Sequence, residues 1–478
     1  MNQMKPEGLA ALEARVREDL ARIAHPRASW LAPVPALDGT AALDALIVGA
    51  GQSGAAIGFA LRRARVDNIL AIDRAAEGQE GPWRGFARMH TLRSPKDFTG
   101  PDLDVPSLTY QSWHEAKFGV ADWQALELID RECWAEYLLW VRRVTGVPTR
   151  NRAELVGIAP SGGLLAATLA SGEVLHARKI VLATGQDGAG VWWMPDFVRA
   201  LPAQLRAHAA DDIDFAALAG RRVAVLGAGA SAFDNAAMAL EHGAEVHLFC
   251  RRPEPQVIQP YRWLTFAGFL RHVAELDDAW RWRFMAKILG LREGFPQATY
   301  DRCAIWPGFH LHTDAAWLDA RAVGQGVGQG VGIDTAQGPF HADFVICGTG
   351  VDMDFASRPE LAGFADNIAT WADRYTPPHE EQDARLGRFP YLGDDFAFQP
   401  KRPGETKWMA DVHLFAIAST MSHGPSGASI NAMTTAVPRL VRGLTRGLFT
   451  ADLERHWADL QAYDVPQAVV RPSGSSLA

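Results

Sequence analysis

Two short glycine-rich segments have the residue types and the spacing that can hold a diphosphate group. The first is Gly49-Ala50-Gly51-Gln52-Ser53-Gly54 and the second is Gly227-Ala228-Gly229-Ala230-Ser231-Ala232. In such a pattern the first glycine permits a tight turn, the second lets the backbone approach a diphosphate, and the third lets a helix pack closely on a strand. Alanine at the third place is allowed. Both segments therefore predict dinucleotide binding at the positive end of a helix.

Each glycine segment lies between an apolar strand and a helix. Residues 45–48 precede the first segment, which opens a helix from Gly54 to about Arg65, and a second strand follows at 68–72. The second segment repeats this order, with a strand at 222–226, a helix at 231–242 and a strand at 245–250. Short apolar runs of this kind are typical of strands buried on both faces of a parallel sheet. The sequence therefore predicts an α/β fold with two Rossmann-like dinucleotide-binding domains.

The residues after the second strand of each unit differ in charge. The first unit has Asp73-Arg74, and the second has Cys250-Arg251-Arg252. An acid at this position accepts hydrogen bonds from a ribose diol, whereas an arginine suits a 2′-phosphate. We therefore expect NADPH in the second unit, with NADH left open. Solvated surface arginines are the alternative, and Asp234 in the following helix receives no role.

Two further strands end in Thr-Gly on either side of the second unit. They are Val181-Leu182-Ala183-Thr184-Gly185, followed by Gln186, and Val345-Ile346-Cys347-Gly348-Thr349-Gly350. Each could mark a crossover between the two domains. Two nucleotide sites in one chain indicate electron transfer between two cofactors.

The order of these motifs resembles that of the class B flavin-dependent monooxygenases, which comprise flavin-containing, Baeyer–Villiger and N-hydroxylating enzymes. The resemblance extends over about residues 43–450 and includes Gln186, Ser231-Ala232 and Gly81-Pro82-Trp83, the last lying against the flavin in this group. It implies FAD in the first domain and NADPH in the second, with the second inserted into the first.

The catalytic candidates come from two departures from that family. Of the signature F-x-G-x-x-x-H-x-x-x-(Y/F/W) only His208 remains, since Pro202, Gln204 and Asp212 occupy the other positions. Arg93 stands where flavin-containing monooxygenases carry an asparagine beside the flavin. A cation there could stabilise a deprotonated peroxide and align NADP⁺. The alternatives are a surface histidine and a surface ion pair.

The resemblance also implies a reaction. NADPH reduces FAD, a flavin C4a-(hydro)peroxide forms with O₂, and this species oxygenates a small organic substrate at nitrogen, at sulfur or in a Baeyer–Villiger reaction. Ser426 and Gly427, at the start of a helix predicted over 427–447, are candidates to stabilise the reduced flavin. A non-oxygenating NAD(P)H:acceptor oxidoreductase is the first alternative, although its commonest form needs a cysteine pair beside the flavin. A non-catalytic redox-sensing protein is the second.

The predicted domain organisation has four parts. Residues 1–40 form a helical extension and linker, 41–190 the first part of the FAD domain, 191–345 the NAD(P)H domain with a helical insertion, and 346–478 the return of the FAD domain with a C-terminal helix. Within these parts, 82–120 is expected to be a long ordered loop region. The substrate pocket is expected to draw on 253–318 and 379–431. Candidates to line an apolar cavity are Trp263, Phe266, Phe269, Trp280 and Trp306, although aromatic side chains are also typical of plain core.

Composition excludes several other functions. The net charge of −8 over 478 residues argues against nucleic-acid binding. The four cysteines are far apart, which argues against disulfides, zinc and a redox dithiol. No metal is expected at His310 and His312 either, because no third ligand is apparent. The N-terminus lacks an apolar stretch and no 18-residue apolar run occurs, so we expect a cytoplasmic protein without membrane attachment. The sequence leaves a homo-oligomer open.

Overall fold

The computed structural model describes residues 8–23, 28–186, 188–324, 329–425, 427 and 429–470. Helices in the first part of the chain are α1 (Leu9–Ile23), α2 (Gln52–Arg63), α3 (Tyr110–Phe118), α4 (Val120–Ala125) and α5 (Arg131–Val144). Strands there are β1 (Val34–Pro35), β2 (Ala41–Val48), β3 (Ile69–Ile72), β4 (Thr149–Arg150), β5 (Leu155–Ser161), β6 (Leu164–Leu169), β7 (Val174–Gly185) and β8 (Gly190–Trp192).

The middle of the chain alternates strands with short helices. Its helices are α6 (Asp196–Arg199), α7 (Ala230–Glu241), α8 (Pro260–Trp263), α9 (Ala267–His272), α10 (Asp278–Leu291) and α11 (Gln297–Ala304). Its strands are β9 (Arg206–His208), β10 (Arg222–Leu226), β11 (Glu245–Phe249), β12 (Phe309–His312), β13 (Trp317–Val323), β14 (Gly330–Thr335), β15 (Gly338–Ala342) and β16 (Phe344–Cys347).

The last part of the chain is mainly helical. It contains strands β17 (Val351–Met353) and β18 (Val412–Ala416). Its helices are α12 (Pro359–Ala362), α13 (Trp371–Arg374), α14 (Ala384–Gly387), α15 (Thr420–His423), α16 (Met433–Ala451) and α17 (Leu453–Ala462). None of the described helices is long and apolar enough to cross a membrane.

Two parallel sheets organise the molecule. The first sheet has the parallel order β4-β3-β2-β7-β18, and β5 and β6 extend from the amino-terminal half of β7 as an antiparallel meander. The second sheet has the parallel order β12-β11-β10-β16-β9 and is accompanied by the antiparallel meander β13-β14-β15. In the central strands β2 and β10, every residue of 45–48 and 223–225 is buried, as the apolar runs predicted. The predicted α/β fold class with two Rossmann-like units is confirmed.

The two sheets are connected by a short ribbon. Strand β8 follows the end of β7, strand β17 follows the end of β16, and the two pair antiparallel with Gly190 opposite Met353. The Thr-Gly ends of the two strands thus lead into a pair of crossovers that lie side by side. The domain boundaries at 190 and 345 stay a prediction.

Two expectations about helices were wrong. The last long helix begins at Met433 rather than at residue 427. A Cβ atom at Gly427 would lie 2.4 Å from the backbone nitrogen of Ala416, so the chain must first pass tightly over the end of β18. The loop expected over 82–120 includes α3, which is capped by Thr109 and packs Trp113 into an aromatic core with Trp134 and Tyr137.

Candidate cofactor and active site

The first glycine segment forms a close-packed turn with one open position. Gly49 has a φ of +103°, and a Cβ atom there would lie 2.4 Å from the carbonyl oxygen of Ala183. A Cβ atom at Gly54 would lie 1.8 Å from the carbonyl oxygen of Gly49. At Gly51, in contrast, the nearest atom would be 3.6 Å away, on Gly81. The outer glycines are therefore required by packing, while the middle glycine leaves room for a ligand at the start of α2.

Asp73 fixes this turn to the next strand. Its carboxylate accepts hydrogen bonds from the backbone N–H groups of Ala50 and Ala75, each at 2.8 Å. The side chain is buried, and a carboxylate has further lone pairs to offer a ribose diol. Arg74, the neighbouring candidate, is exposed to solvent.

A buried ion pair that the sequence did not reveal holds the loop 78–83 beside the turn. Arg142 Nη1 lies 2.7 Å from Glu80 Oε1, and both side chains are less than a tenth exposed. Asn151 donates to the same Glu80 oxygen at 2.6 Å, and Arg142 also reaches the carbonyl oxygen of Ala50 at 3.4 Å. The pair positions Trp83, whose ring packs edge-on against Trp134.

The second glycine segment has the same geometry, except that Ala232 takes the place of the third glycine. Gly227 has a φ of +116°, and a Cβ atom there would lie 2.6 Å from the carbonyl oxygen of Gly348. At Gly229 the nearest atom would be 3.9 Å away. The methyl group of Ala232 fits because Gly348 has no side chain; a Cβ atom at Gly348 would lie 2.6 Å from that of Ala232. A second open position thus faces the start of α7.

Arg251 and Arg252 follow β11 as predicted. Arg251 is exposed, and Arg252 is half-buried with Nη2 donating to the carbonyl oxygen of Gly290 at 3.2 Å. Among the described residues, no carboxylate forms an ion pair with either side chain. Both cations are thus available to an external phosphate.

The Thr-Gly candidates shape the crossovers. The Thr184 hydroxyl donates to the carbonyl oxygen of Gly188 at 3.2 Å, and the Thr349 hydroxyl donates to that of Trp193. Gly350 accepts a hydrogen bond from the backbone of Trp193 at 2.9 Å. The two threonines therefore have local structural partners.

Before α16, the chain touches the start of α2. The Ser53 hydroxyl donates to the carbonyl oxygen of Gly427 at 3.3 Å. Ser426 lies outside the described residues.

A cavity of about 310 Å³ lies between the two sheets. Six of the predicted residues line it: Trp83, Arg93, Gln186, His208, Ser231 and Gly350. Lining residues that had no role in the sequence-based prediction include Trp192, Asp234, Asn235, Arg292, Glu293 and Arg385. The glycines of the two glycine-rich segments, Asp73 and the Arg251–Arg252 pair lie outside this lining.

Both stretches expected at the substrate pocket contribute to the cavity. Tyr261, Leu289, Arg292 and Glu293 of 253–318 line it, as do Arg385, Phe389 and Ile417 of 379–431. Trp263, Phe266 and Trp280 are exposed, and none of the three is among the lining residues. That these stretches surround the substrate stays a prediction.

Arg93 bridges the two units inside the cavity. Its guanidinium pairs with Asp234 of α7, which is buried, and with Glu293 Oε1 at 3.2 Å. Burial alone would lower the pKa of Arg93, but the two carboxylates raise it above its usual value. Asp234 also accepts from the Thr299 hydroxyl at 3.3 Å. The predicted catalytic cation is therefore held in place by the second unit.

His208 is buried at the end of β9, not at the surface. Its Nδ1 accepts from the backbone N–H of Ala210 at 3.1 Å, so the neutral ring carries its proton on Nε2. Burial lowers the pKa of His208 to about 4, which Asp211 and the backbone of Gly350 offset only in part. The ring packs on Trp192, with 5.1 Å between centroids. Neutral His208 can thus donate a hydrogen bond into the cavity.

Positive charge collects at the mouth of the cavity. The lining contains four arginines against two carboxylates, and Arg93 pairs with both of the latter. Arg292 reaches solvent and has no carboxylate within ion-pair distance among the described residues. Burial and the nearby charges of Arg385, Arg251 and Arg252 lower the pKa of Arg292, an effect that Asp383 offsets in part. Such a group of cations favours an anion.

Several buried polar atoms around the two turns have no hydrogen-bond partner among the described residues. They are Gln52 Oε1, Trp83 Nε1, His208 Nε2 and Asn235 Oδ1. Buried polar groups are normally satisfied, so these atoms indicate where a ligand supplies the missing partners. Together with the open positions at Gly51 and Gly229, they fit two bound dinucleotides.

Comparisons with known proteins agree with this geometry. The family described as pyridine nucleotide-disulphide oxidoreductase matches residues 46–267, which include both glycine segments. All four cysteines are free thiols, and no described residue of the cavity lining is a cysteine. The match therefore concerns the nucleotide-binding architecture.

Solved structures show the same fold. The reduced form of an ornithine hydroxylase from Pseudomonas aeruginosa has a TM-score of 0.64 at 18% identity, covering 85% of this chain and 100% of that one. The L-lysine 6-monooxygenase from Pseudomonas syringae has a TM-score of 0.64 at 19% identity, covering 85% and 99%. At such identities the likeness establishes the fold.

A relative extends over almost the whole chain. The FAD-dependent urate hydroxylase of Xanthomonas campestris pv. campestris is 41% identical over 465 residues, 96% of this chain and 97% of that protein. The predictions of a flavin-dependent oxidoreductase and of the monooxygenase resemblance are confirmed. The protein belongs to the family of this FAD-dependent hydroxylase, among the flavin-dependent monooxygenases whose motif order its sequence carries.

Proposed function

We propose that the protein is an FAD- and NADPH-dependent hydroxylase whose substrate is urate or a closely related oxopurine. The observation that carries the proposal is the 41% identity to a urate hydroxylase over 96% of the chain. One atom of O₂ enters the product, and the other leaves as water with two electrons from NADPH.

The first glycine turn would hold FAD. Gly51 leaves room for its diphosphate at the start of α2, and Asp73 would accept hydrogen bonds from the adenosine ribose. The flavin supplies the redox and oxygen chemistry when it is bound. The protein orients it through Trp83, which the Glu80–Arg142 pair fixes in place.

The second glycine turn would hold NADPH. Gly229 leaves room for its diphosphate, and Arg251 and Arg252 would bind the 2′-phosphate. The cavity between the sheets is the candidate place for the nicotinamide and the flavin to meet, because residues of both units line it.

The charge and shape of the cavity suit a planar anion. Urate is a monoanion at neutral pH. Arg292, which has no carboxylate partner in the part of the chain that the structure describes, offers a planar guanidinium that matches planar acceptors better than a lysine would. His208 donates from Nε2 as a neutral group. A volume of about 310 Å³ is at the small end of ligand sites, which run from roughly 300 to 1,000 Å³.

We also propose a cytoplasmic location. Three of the four free cysteines are buried and none of the four forms a disulfide, which supports a reducing compartment. NADPH and O₂ are both available there.

The test uses the purified chain. We expect about one FAD per chain, NADPH oxidation that accelerates when urate is added, and one ¹⁸O atom in the product when ¹⁸O₂ is supplied. Urate-independent NADPH oxidation with all O₂ recovered as H₂O₂ would contradict the proposal and favour the non-oxygenating oxidoreductase.

A matched pair of variants tests whether Arg292 binds the urate anion. Arg292→Met is expected to raise the KM for urate about tenfold, the typical effect of losing one charge-assisted hydrogen bond. Arg388→Met is the control, because Arg388 is exposed, pairs with Asp352 and lies outside the cavity lining. A larger change in the KM for NADPH than for urate would assign Arg292 to the coenzyme.

A further inference from the structure

Three side chains that can ligate a metal meet on the second sheet, away from the cavity. Strands β11 and β12 are parallel neighbours, with His247 directly opposite His310. Alternate residues of a strand share a face, so Glu245, His247, His310 and His312 all lie on one face. The other face carries Val246, Leu248 and Leu311, which pack against the helices. The fold thus brings together residues that are 65 positions apart in the sequence.

The ligand atoms are close enough for one ion. Glu245 Oε1 lies 3.0 Å from His247 Nε2 and 3.7 Å from His310 Nε2, and the three atoms all lie within 4.8 Å of one another. Bond lengths of about 2.0–2.2 Å in a tetrahedral zinc site place neighbouring ligand atoms about 3.4 Å apart. Side-chain rotations alone can close the remaining difference.

Neighbouring groups already orient two of the ligands. His312 Nε2 lies 2.9 Å from His247 Nδ1, and Glu245 Oε1 lies 3.0 Å from His247 Nε2. With a metal on Nε2 in place of the proton shared with Glu245, His247 would carry its proton on Nδ1 and donate it to His312. Metal-bound histidines usually donate their other ring N–H in this manner. Arg222 lies 3.5 Å from Glu245 Oε2, which leaves Oε1 facing the histidines.

Solvent access favours binding. His310 and Glu245 are about two-fifths exposed, whereas His247 is about a tenth exposed. An ion can enter from solvent and keep water at its open positions.

We propose that Glu245, His247 and His310 bind one divalent transition-metal ion, for which Zn²⁺ is the probe, with His312 as the positioning residue. Two imidazoles and one carboxylate are a ligand set typical of such ions. The sequence predicted no metal at His310 and His312, because no third ligand was apparent near them. In the fold, β11 supplies Glu245 and His247 as the further ligands.

The site is separate from the coenzyme. Glu245 is the first residue of β11 and pairs with Arg222, whereas the glycine turn follows Leu226 at the other end of β10. Leu226 is four residues along β10 from Arg222, so the glycine turn lies about 13 Å from the level of Glu245. The ion is therefore expected to pin the edge strand β12 to β11 and to take no part in the reaction.

The test is a Zn²⁺ titration of the chelator-treated, tag-free protein by calorimetry, followed by thermal unfolding. We expect one Zn²⁺ per chain and a Tm that rises by several degrees at ~100-fold excess over Kd. His310→Ala and Glu245→Gln should each abolish this binding or weaken it at least tenfold. His312→Ala should keep one site but weaken it by about tenfold, as outer partners of metal ligands do.

His379→Ala is the matched control, since His379 is exposed and lies outside the cluster; it should bind as the parent chain does. Circular dichroism and flavin content establish that each variant is folded. No Zn²⁺ uptake by the parent chain, or uptake that His310→Ala and Glu245→Gln leave unchanged, would overturn the proposal. Because these readouts do not use urate or NADPH, they are independent of the proposed reaction.

Discussion

The two glycine turns solve one packing problem in different ways. In the first, helix α2 approaches so closely that Gly54 has no room for a side chain against Gly49. In the second, Ala232 keeps its methyl group, and the strand on the other side gives way instead through Gly348. The residue that must lack a side chain is thus in the helix in the first turn (Gly54) and next to the neighbouring strand in the second (Gly348). A glycine fingerprint is therefore a property of three packed segments, not of one loop.

The side chains beside the two turns also differ in the sign of their charge. In the first unit a buried carboxylate, Asp73, ties the turn to its strand and leaves a place for a ribose. In the second, exposed Arg251 and half-buried Arg252 take that place and have no carboxylate partner in the described part of the chain. The same backbone thus carries one site suited to a diol and another suited to a phosphate.

The largest effect should come from adding a methyl group to the first turn. Gly54→Ala places a Cβ atom 1.8 Å from a backbone oxygen, so we expect loss of FAD binding and of much soluble protein. Ala232→Gly is the matched change in the second turn, and it should lower stability by only about 1 kcal/mol through helix propensity. Flavin absorbance per chain and thermal unfolding measure both, and full FAD content in the Gly54→Ala variant would contradict the packing argument.

The next effect concerns the ion pair between Arg93 and Asp234, which joins the two units. Arg93→Met leaves the buried Asp234 carboxylate without its closest cation, which should lower the free energy of unfolding by about 3 kcal/mol. Arg84→Met breaks the exposed pair with Glu132 and should lower it by less than about 1 kcal/mol. Urea unfolding compares them. Equal effects would show that the bridge is no more important than a surface pair.

The third effect is a pH dependence of stability that arises from one buried histidine in each unit. Burial lowers the pKa of His208, near the second turn, to about 4 and that of His423, beside the first sheet, to about 3. Each neutral ring therefore stabilises the fold fully above about pH 6.5, and this stabilisation is lost as the pH falls through each folded-state pKa. Between about pH 7.5 and pH 5, His208 should account for about 2 kcal/mol. Unfolding of His208→Gln should be less pH-dependent by that amount, and unchanged dependence would refute it.

The smallest effect tests the charge difference directly. Arg251→Ala and Arg252→Ala should each raise the KM for NADPH about tenfold and leave the KM for NADH nearly unchanged, because only NADPH carries the 2′-phosphate. Steady-state kinetics with both coenzymes measure this. Equal losses with NADPH and NADH would place the arginines on another part of the coenzyme.

Local patterns predicted the parts of the fold that local forces determine. Strands 45–48 and 222–226, and the helix after each glycine segment, were found where the apolar runs and glycines indicated. These features depend on residues within one βαβ unit.

Features that depend on distant residues were missed. Asp234 gained its importance only because the fold places Arg93 against it, 141 positions away. The late start of α16 depends on Gly427 passing over Ala416. The Glu245–His247–His310 cluster depends on the register of two strands. No local pattern contains such information, since each contact is set by the packing of the two sheets.

The ribbon formed by β8 and β17 has one more consequence. Because Gly190–Trp192 and Val351–Met353 are paired, the chain leaves the first sheet and returns to it about 5 Å apart. The intervening stretch of some 160 residues thus has adjacent ends. It is also anchored in the first unit, because Trp282 shares one hydrophobic core with Leu46 of the first sheet and Asp234 pairs with Arg93. A change of coenzyme specificity is therefore expected from substitutions at Arg251 and Arg252, whereas replacing the whole stretch would also remove part of the core that supports the first sheet.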